Sequence, residues 1–361
     1  MRPLDKDDPR QIGGYRLAAL LGQGTTAQVF LGASPEGRPA VVKAVRDSAA
    51  RDTAFRARFA REVAAAHRVD CPFVVPVVDA ATSGPVLWIA AAYAPGPSLA
   101  EAVEKFGPLP AETVRTLAAG LAAGLEALHA QDLTHGRLSP SGVALAPDGP
   151  RIVDLGVARS PDGPSVEEDG VLIGTTLPSP AFRAPEQLAG RDVGFAADVF
   201  SLGTVLVHAA RGTGPFGDDS DAGVGERILR GKPDLGGLPA WLGQLAVACL
   251  AKDPADRPTA AQIKAATVSE LDGPGWLPPR VAAEVAQRAA TIWAQSGGMP
   301  GGPGSGTPAG GAHQGGDSGS AGEATPGSSQ AGAYASETGR GSGRRRRRTA
   351  DDRTTARPFV P

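Results

Sequence analysis

Leu21-Gly22-Gln23-Gly24-Thr25-Thr26-Ala27-Gln28-Val29 places two glycines at the first turn of a strand hairpin, where bare backbone can lie over phosphate groups. Glycine pairs ahead of a valine also occur in ordinary hairpins, so the stretch takes its weight from the residues beyond it. Ala40-Val41-Val42-Lys43 ends an apolar strand on a lysine, and a strand lysine pointing inward needs an anionic partner. Glu62 offers one. It sits beside the apolar face of a helix predicted over Thr53 to Arg68, where Phe55, Phe59, Val63 and Ala66 share one side. Packed on the sheet, that helix brings its carboxylate to the lysine, which then holds the α- and β-phosphates of a nucleotide. The plainer alternative is a surface lysine and a surface glutamate.

The segment from 15 to about 94 continues in the same way, with runs such as Gln28-Val29-Phe30-Leu31 separated by glycine and proline turns. After Pro95 the pattern turns helical: Val114, Leu117, Leu121, Leu125 and Leu128 recur at steps of three and four, which predicts a buried helix. Val143 to Leu145 and Arg151 to Val153 read as strands joined by Ala146-Pro147-Asp148-Gly149, a hairpin that delivers Asp154. Further helices are predicted around Ala197 to Ala210, Leu242 to Ala251 and Thr259 to Glu270. Residues 280 to 294 read as one amphipathic helix opened by Pro278-Pro279. The organisation expected is an N-terminal extension (1–14), a domain over 15–273 with lobes 15–94 and 95–273, an appended helix within 274–295, and a tail over 296–361.

Gly 49 and Pro 33 among 361 residues crowd beyond residue 296, where almost every residue is Gly, Ser, Ala, Pro or Thr. That composition cannot bury enough apolar surface to offset the entropy of ordering, so a disordered tail is expected. Lys+Arg 36 against Asp+Glu 38 leaves a net charge of −2, which gives no argument for nucleic acid or a membrane as partner of the whole chain. Arg344 to Arg348 form a local basic run of the kind that contacts phosphate-rich partners or an anionic membrane surface. With no apolar anchor beside it, a solvated tail is the favoured reading. Cys71 and Cys249 lack metal-ligand spacing, so neither a disulfide framework nor a zinc site is expected. The charged start, Met1 to Asp8, lacks the apolar core of a signal peptide, and no apolar run approaches the ~18 residues that span a bilayer. A soluble, cytoplasmic protein is expected.

These residues, in this order and spacing, resemble the protein kinase family, in particular the bacterial, eukaryotic-like (Hanks-type) serine/threonine kinases. Tyr93-Ala94-Pro95-Gly96-Pro97-Ser98-Leu99 looks like the hinge between the two lobes, and His135 with Leu138-Ser139-Pro140-Ser141 like the catalytic loop. Asp154-Leu155-Gly156 is similar to the metal-binding motif and Ala184-Pro185-Glu186 to the end of the activation segment. Asp198 with Ser201-Leu202-Gly203 resembles the start of the central lower-lobe helix, and Arg257 the arginine that pairs with the glutamate, here Glu186. Gly275-Trp276-Leu277-Pro278-Pro279 and the helix after it look like kinases of high-GC actinobacteria. The resemblance implies an α+β, two-lobed fold: a β-rich N-lobe with one key helix and a helical C-lobe. It also implies ATP as ligand, with Leu21, Gly22, Gln23, Gly24, Val29, Val41, Lys43, Glu62 and Tyr93 at the nucleotide and Asp154 holding Mg2+ at a single, reduced site. Val41 stands where the family usually has alanine over the adenine, and Ala91 at the position guarding the back of the pocket.

The catalytic loop departs from the family pattern His-Arg-Asp-Leu-Lys-Pro-x-Asn. His135, Leu138 and Pro140 fix the register, yet Arg137 replaces the aspartate that accepts the substrate hydroxyl's proton, and arginine takes up no proton at any relevant pH. Ser139 replaces the lysine that neutralises the transferring phosphoryl group, Gly142 the asparagine of the second magnesium, and Gly136 the arginine that answers an activation-segment phosphate. Asp132 and Asp148 are placed too far round the loop to substitute, which leaves Glu167, Glu168 and Asp169 of the activation segment. The function expected is an ATP-binding signalling pseudokinase, a nucleotide-responsive scaffold or regulator working through protein partners. An active or weakly active serine/threonine kinase is the alternative, and nucleotidyl transfer on the same fold a third. Arg137 against Asp154 or the γ-phosphate would replace metal charge with a guanidinium and make binding metal-independent.

Overall fold

The computed structural model describes residues 2–23, 27–46, 50–153, 180–217, 223–267 and 275–295, the side chains of 293–295 excepted. Seven antiparallel strands form the first layer: β1 (Arg2–Pro3), β2 (Gln11–Ile12), β3 (Tyr15–Gln23), β4 (Ala27–Ala33), β5 (Pro39–Val45), β6 (Val77–Ala81) and β7 (Trp88–Ala92). Their order is β1-β3-β4-β5-β7-β6, with β2 also paired to β3. The first fourteen residues, read from sequence as an extension, therefore contribute two strands to this sheet. Alternation decides what each face carries. Phe30, Val42 and Ala90 pack with Tyr15 and Trp88 on one side, while Val29, Val41 and Lys43 point to the other.

Helix α1 (Thr53–Ala66) starts where the Asp52 carboxylate accepts the Ala54 N–H at 2.8 Å, a side-chain cap for one of the first-turn donors. It buries Phe59, Glu62, Val63 and Ala66, one face at helical spacing, as its sequence pattern predicts.

The lower layer is helical. Helix α2 (Leu99–Phe106) is capped by Ser98 and Glu101 reciprocally, and α3 (Ala111–His129) buries Val114, Leu117, Leu121, Leu125 and Leu128. The hairpin of β8 (Val143–Ala146) and β9 (Gly149–Ile152) follows, so the predicted hairpin exists with its strands within two residues of the expected limits. Asp154, which it delivers, lies outside the described residues, as do Gly24, Glu167, Glu168 and Asp169. Helices α4 (Pro185–Leu188), α5 (Phe195–Arg211), α6 (Val224–Arg230), α7 (Ala240–Cys249) and α8 (Ala260–Thr267) complete the layer, with α5 in its centre.

Helix α9 (Pro279–Gln295) is not peripheral to this core. Trp276, Leu277, Val281 and Val285 are buried in the same apolar cluster as α3 and α5, and Trp276 Nε1 donates to the Ala146 carbonyl of β8 at 2.9 Å. No described helix is long and apolar enough to cross a membrane.

Candidate nucleotide site

A cleft of about 840 Å³ lies between the sheet and the helical layer. Its apolar walls include Leu21, Val29 and Val41 from above and Ala144 and Val153 from below, with Ala91 and Tyr93 at the hinge side. Register explains part of this: Val41 faces Ala91, and Lys43 faces Ile89, across β5 and β7. Burial raises the Tyr93 hydroxyl above its usual range, so this phenol stays neutral.

Lys43 lines the cleft and is buried to 9% exposure. Glu62 is buried too, at 5%, with the Arg58 guanidinium 4.0 Å away. Gly22 is buried on β3 opposite Val29, and Gln23 is exposed opposite Gln28, so both belong to the hairpin that roofs the cleft. Among the described residues no cluster of three His, Cys, Asp or Glu is poised to hold a metal ion.

Below the cleft, Asp198 at the start of α5 is fully buried and holds the loop that begins at His135. Its Oδ2 accepts the His135 N–H at 2.8 Å and its Oδ1 accepts the Gly136 N–H at 2.6 Å, while His129 Nε2 stands 2.9 Å from Oδ2. Gly136 takes a φ of +70°, a left-handed conformation that glycine adopts without a Cβ penalty. Its carbonyl accepts from Gln187 Nε2 at 2.7 Å, and Gln187 Oε1 in turn accepts the Ala184 N–H at 2.8 Å. The His135 ring lies 3.4 Å from the Val153 carbonyl, and the Val153 N–H donates to Gly142 O at 3.0 Å. Arg137 is half-buried, whereas Ser139 and Gly142 are buried. At Gly142 an added Cβ would meet only Ser139 Oγ at 3.6 Å and Val153 O at 3.9 Å, so the glycine is not there for want of space. Asp132 is exposed, and Asp148 is engaged by Arg151 at 2.7 Å.

The Ala184-Pro185-Glu186 segment is anchored as the family resemblance implies. Arg257 Nη1 and Nη2 donate to Glu186 Oε1 and Oε2 at 2.6 and 2.8 Å.

Sequence reasoning did not find the hinge-side mouth of the cleft. Glu101 and Lys105 of α2 line it together with Glu284 and Arg288 of α9. Arg288 Nη1 donates to Glu101 Oε2 at 3.0 Å and its Nε to Glu284 Oε1 at 2.9 Å; Lys105 Nζ donates to Glu284 Oε2 at 2.7 Å. Burial alone would raise the Glu101 carboxyl, but hydrogen bonds from the Ser98 N–H and Arg288 outweigh it and hold the group below its ordinary value. The bonds from Lys105 and Arg288 hold Glu284 low as well. The one available signal was the Ser98-x-x-Glu101 capping box.

A family profile described as "Protein kinase domain" matches residues 15–268. The chain is 46% identical over 281 residues to the "Probable serine/threonine-protein kinase PkwA" of Thermomonospora curvata, covering 78% of this chain and 37% of that protein. It is 40% identical over 287 residues to the "Serine/threonine-protein kinase AfsK" of Streptomyces coelicolor, covering 77% and 35%. The AfsK of Streptomyces griseus is similar at 39% over 296 residues, covering 79% and 36%. The chain thus spans about a third of the length of these curated relatives.

Proposed function

This chain belongs to the protein kinase family, and from that premise we propose that it is an ATP-binding signalling module of the pseudokinase kind, whose output is a change in protein contacts. One observation carries the reading: the loop after His135 is held in a hydrogen-bonded frame by Asp198, Gln187 and Val153, and the residues set on that frame are Arg137, Ser139 and Gly142. None of the three accepts a proton as a carboxylate, brings a lysine's charge to a transferring phosphoryl group or offers a side-chain amide to a magnesium ion. Loss of a general base alone costs about 10² to 10⁴ in rate, and loss of charge stabilisation adds to it.

The apolar cleft with a buried lysine suits an adenine nucleotide: Val29, Val41 and Val153 for the ring, Lys43 for the phosphates, and Asp154 for one magnesium ion. Glu62, on the helix behind Lys43, is assigned to orient that lysine. Bound ATP would supply the phosphate charge that draws Lys43 and the metal together.

The alternative, an active serine/threonine kinase, is favoured by the names of the relatives at 40–46% identity. Positioning and electrostatics supply most of the catalysis in phosphoryl transfer, so a missing base does not end it by itself. Incubation of purified protein with radiolabelled ATP separates the two. The pseudokinase reading expects no transfer to the chain or to a generic protein substrate, together with a rise in melting temperature on adding ATP. Transfer that disappears in Lys43→Ala and Asp154→Ala overturns it.

A further inference from the structure

The matched family segment ends at residue 268, yet five residues of the cleft lining come from α9, which starts at Pro279. They are Glu284, Gln287, Arg288, Thr291 and Ile292, spaced at three and four so that they form one stripe of the helix. The helix is held from below by Val281 and Val285, buried in the core, and from the side by the chain of bonds Ser98–Glu101–Arg288–Glu284–Lys105. The same Glu101 oxygen that completes the cap of α2 at the hinge receives Arg288. Lys43 marks the phosphate end of the cleft, so the hinge residues Tyr93 to Ser98 and the α9 stripe beside them mark the nucleoside end.

We propose that α9 is a wall of the nucleotide site, and that Gln287, Arg288 and Thr291 meet the ribose of a bound purine nucleotide. This rests on the reading that the cleft takes ATP. The three side chains offer an amide, a guanidinium and a hydroxyl, groups that donate to or accept from ribose hydroxyls. Gln287 and Thr291 are exposed on the stripe, outside the core packing that fixes Val281 and Val285. A site so walled selects against bulk on the ribose, and it does so with residues outside the segment by which the family is recognised.

The test is calorimetric titration of the full chain with magnesium ATP and with ATP carrying a methylanthraniloyl group on the ribose. Wild type is expected to bind ATP and to bind the ribose-tagged analogue more weakly. The double variant Gln287→Ala/Thr291→Ala and the single variant Arg288→Ala are each expected to weaken ATP about fivefold or more, the loss of roughly one hydrogen bond, and to narrow the discrimination against the tag. Ala286→Lys, on an exposed position outside the stripe, is expected to behave as wild type. Val41→Trp, which fills the cleft, is expected to abolish binding. If wild type binds, Val41→Trp does not, and the α9 variants match wild type on both ligands, the proposal fails while the nucleotide reading stands. If wild type binds no ATP, or binding survives Val41→Trp, the nucleotide reading fails and the proposal with it. Should Arg288→Ala unfold, the double variant, whose two side chains are exposed, carries the result.

Discussion

Arg257 and Glu186, 71 positions apart in sequence, form a bidentate ion pair buried to 0% and 3% side-chain exposure. The remaining guanidinium donors are taken up by the carbonyls of Ala251, Ala196 and Lys252, at 2.8, 2.8 and 3.2 Å. Every N–H of the fork thus has an acceptor, which is the condition under which a buried pair is tolerated. Removing one partner leaves the other charged, dry and unanswered. Arg257→Ala is expected to cost about 3–5 kcal/mol, read as a lowered midpoint of urea unfolding. A loss below roughly one kcal/mol, that of an exposed pair, would show that the site is wet in solution.

The frame around the His135 loop makes a gain-of-function experiment informative. With the His135 and Gly136 N–H groups held by the Asp198 carboxylate and space for a Cβ at Gly142, the triple variant Arg137→Asp/Ser139→Lys/Gly142→Asn is expected to transfer phosphate from ATP to a generic substrate above the level of the natural chain. Equal activity in both proteins, at a substantial rate, would refute the pseudokinase reading.

Gly96 is a position where the backbone tolerates nothing larger. A Cβ there would stand 2.0 Å from the Leu145 carbonyl oxygen, a backbone atom that cannot swing aside. Gly96→Ala is expected to push the hinge from β8, to lower the melting temperature by an amount corresponding to about 1–3 kcal/mol, and to reduce the stabilisation given by ATP.

Burial pushes the Cys249 thiol up to about 12 and raises the half-buried Cys71 as well. At pH 8 a thiol of that pKa is about one part in 10⁴ thiolate, the reactive form. Native protein is therefore expected to react slowly with an aromatic disulfide reagent, and both cysteines rapidly once urea unfolds the chain. Prompt labelling of Cys249 in native protein would contradict the packing of α7 against α5.

The bridges at the cleft mouth carry a pH signature. Glu101 and Glu284 are held below the ordinary glutamate value of 4.5, so their contribution to docking α9 is fully present above that value and is lost as pH falls through the lower, folded ones. The difference in melting temperature between wild type and Arg288→Ala is expected to persist from pH 7 down to the ordinary glutamate value and to close only as pH falls further below it.

The lobes were legible because their residues repeat at the periods of strand and helix over long runs: Val41 and Lys43 alternate on β5, and Val114 to Leu128 recur on α3. The Glu186 to Arg257 pair was legible only through family resemblance, since nothing in either segment alone names the other. β1 and β2 were not legible because two residues carry no period. Glu101 was readable as half of a capping box, but its bond to Arg288 joins elements 187 positions apart, and single-sequence spacing holds no information at that range. Gln187 escaped for the same reason: its role depends on the Gly136 carbonyl, a backbone atom with no signature in sequence.

Trp276, Leu277, Val281 and Val285 have a practical consequence for anyone cutting the gene. An expression fragment ended at residue 268 would discard these four buried side chains, each worth roughly 1.5–3 kcal/mol of burial for an aliphatic group. Their sum rivals the net stability of about 5–15 kcal/mol typical of a folded domain. It would also strip a sticky apolar groove bare beside α3 and remove the donor that caps the Ala146 carbonyl. Fragments meant for crystallisation or ligand screening should run at least to residue 295, where helix α9 ends.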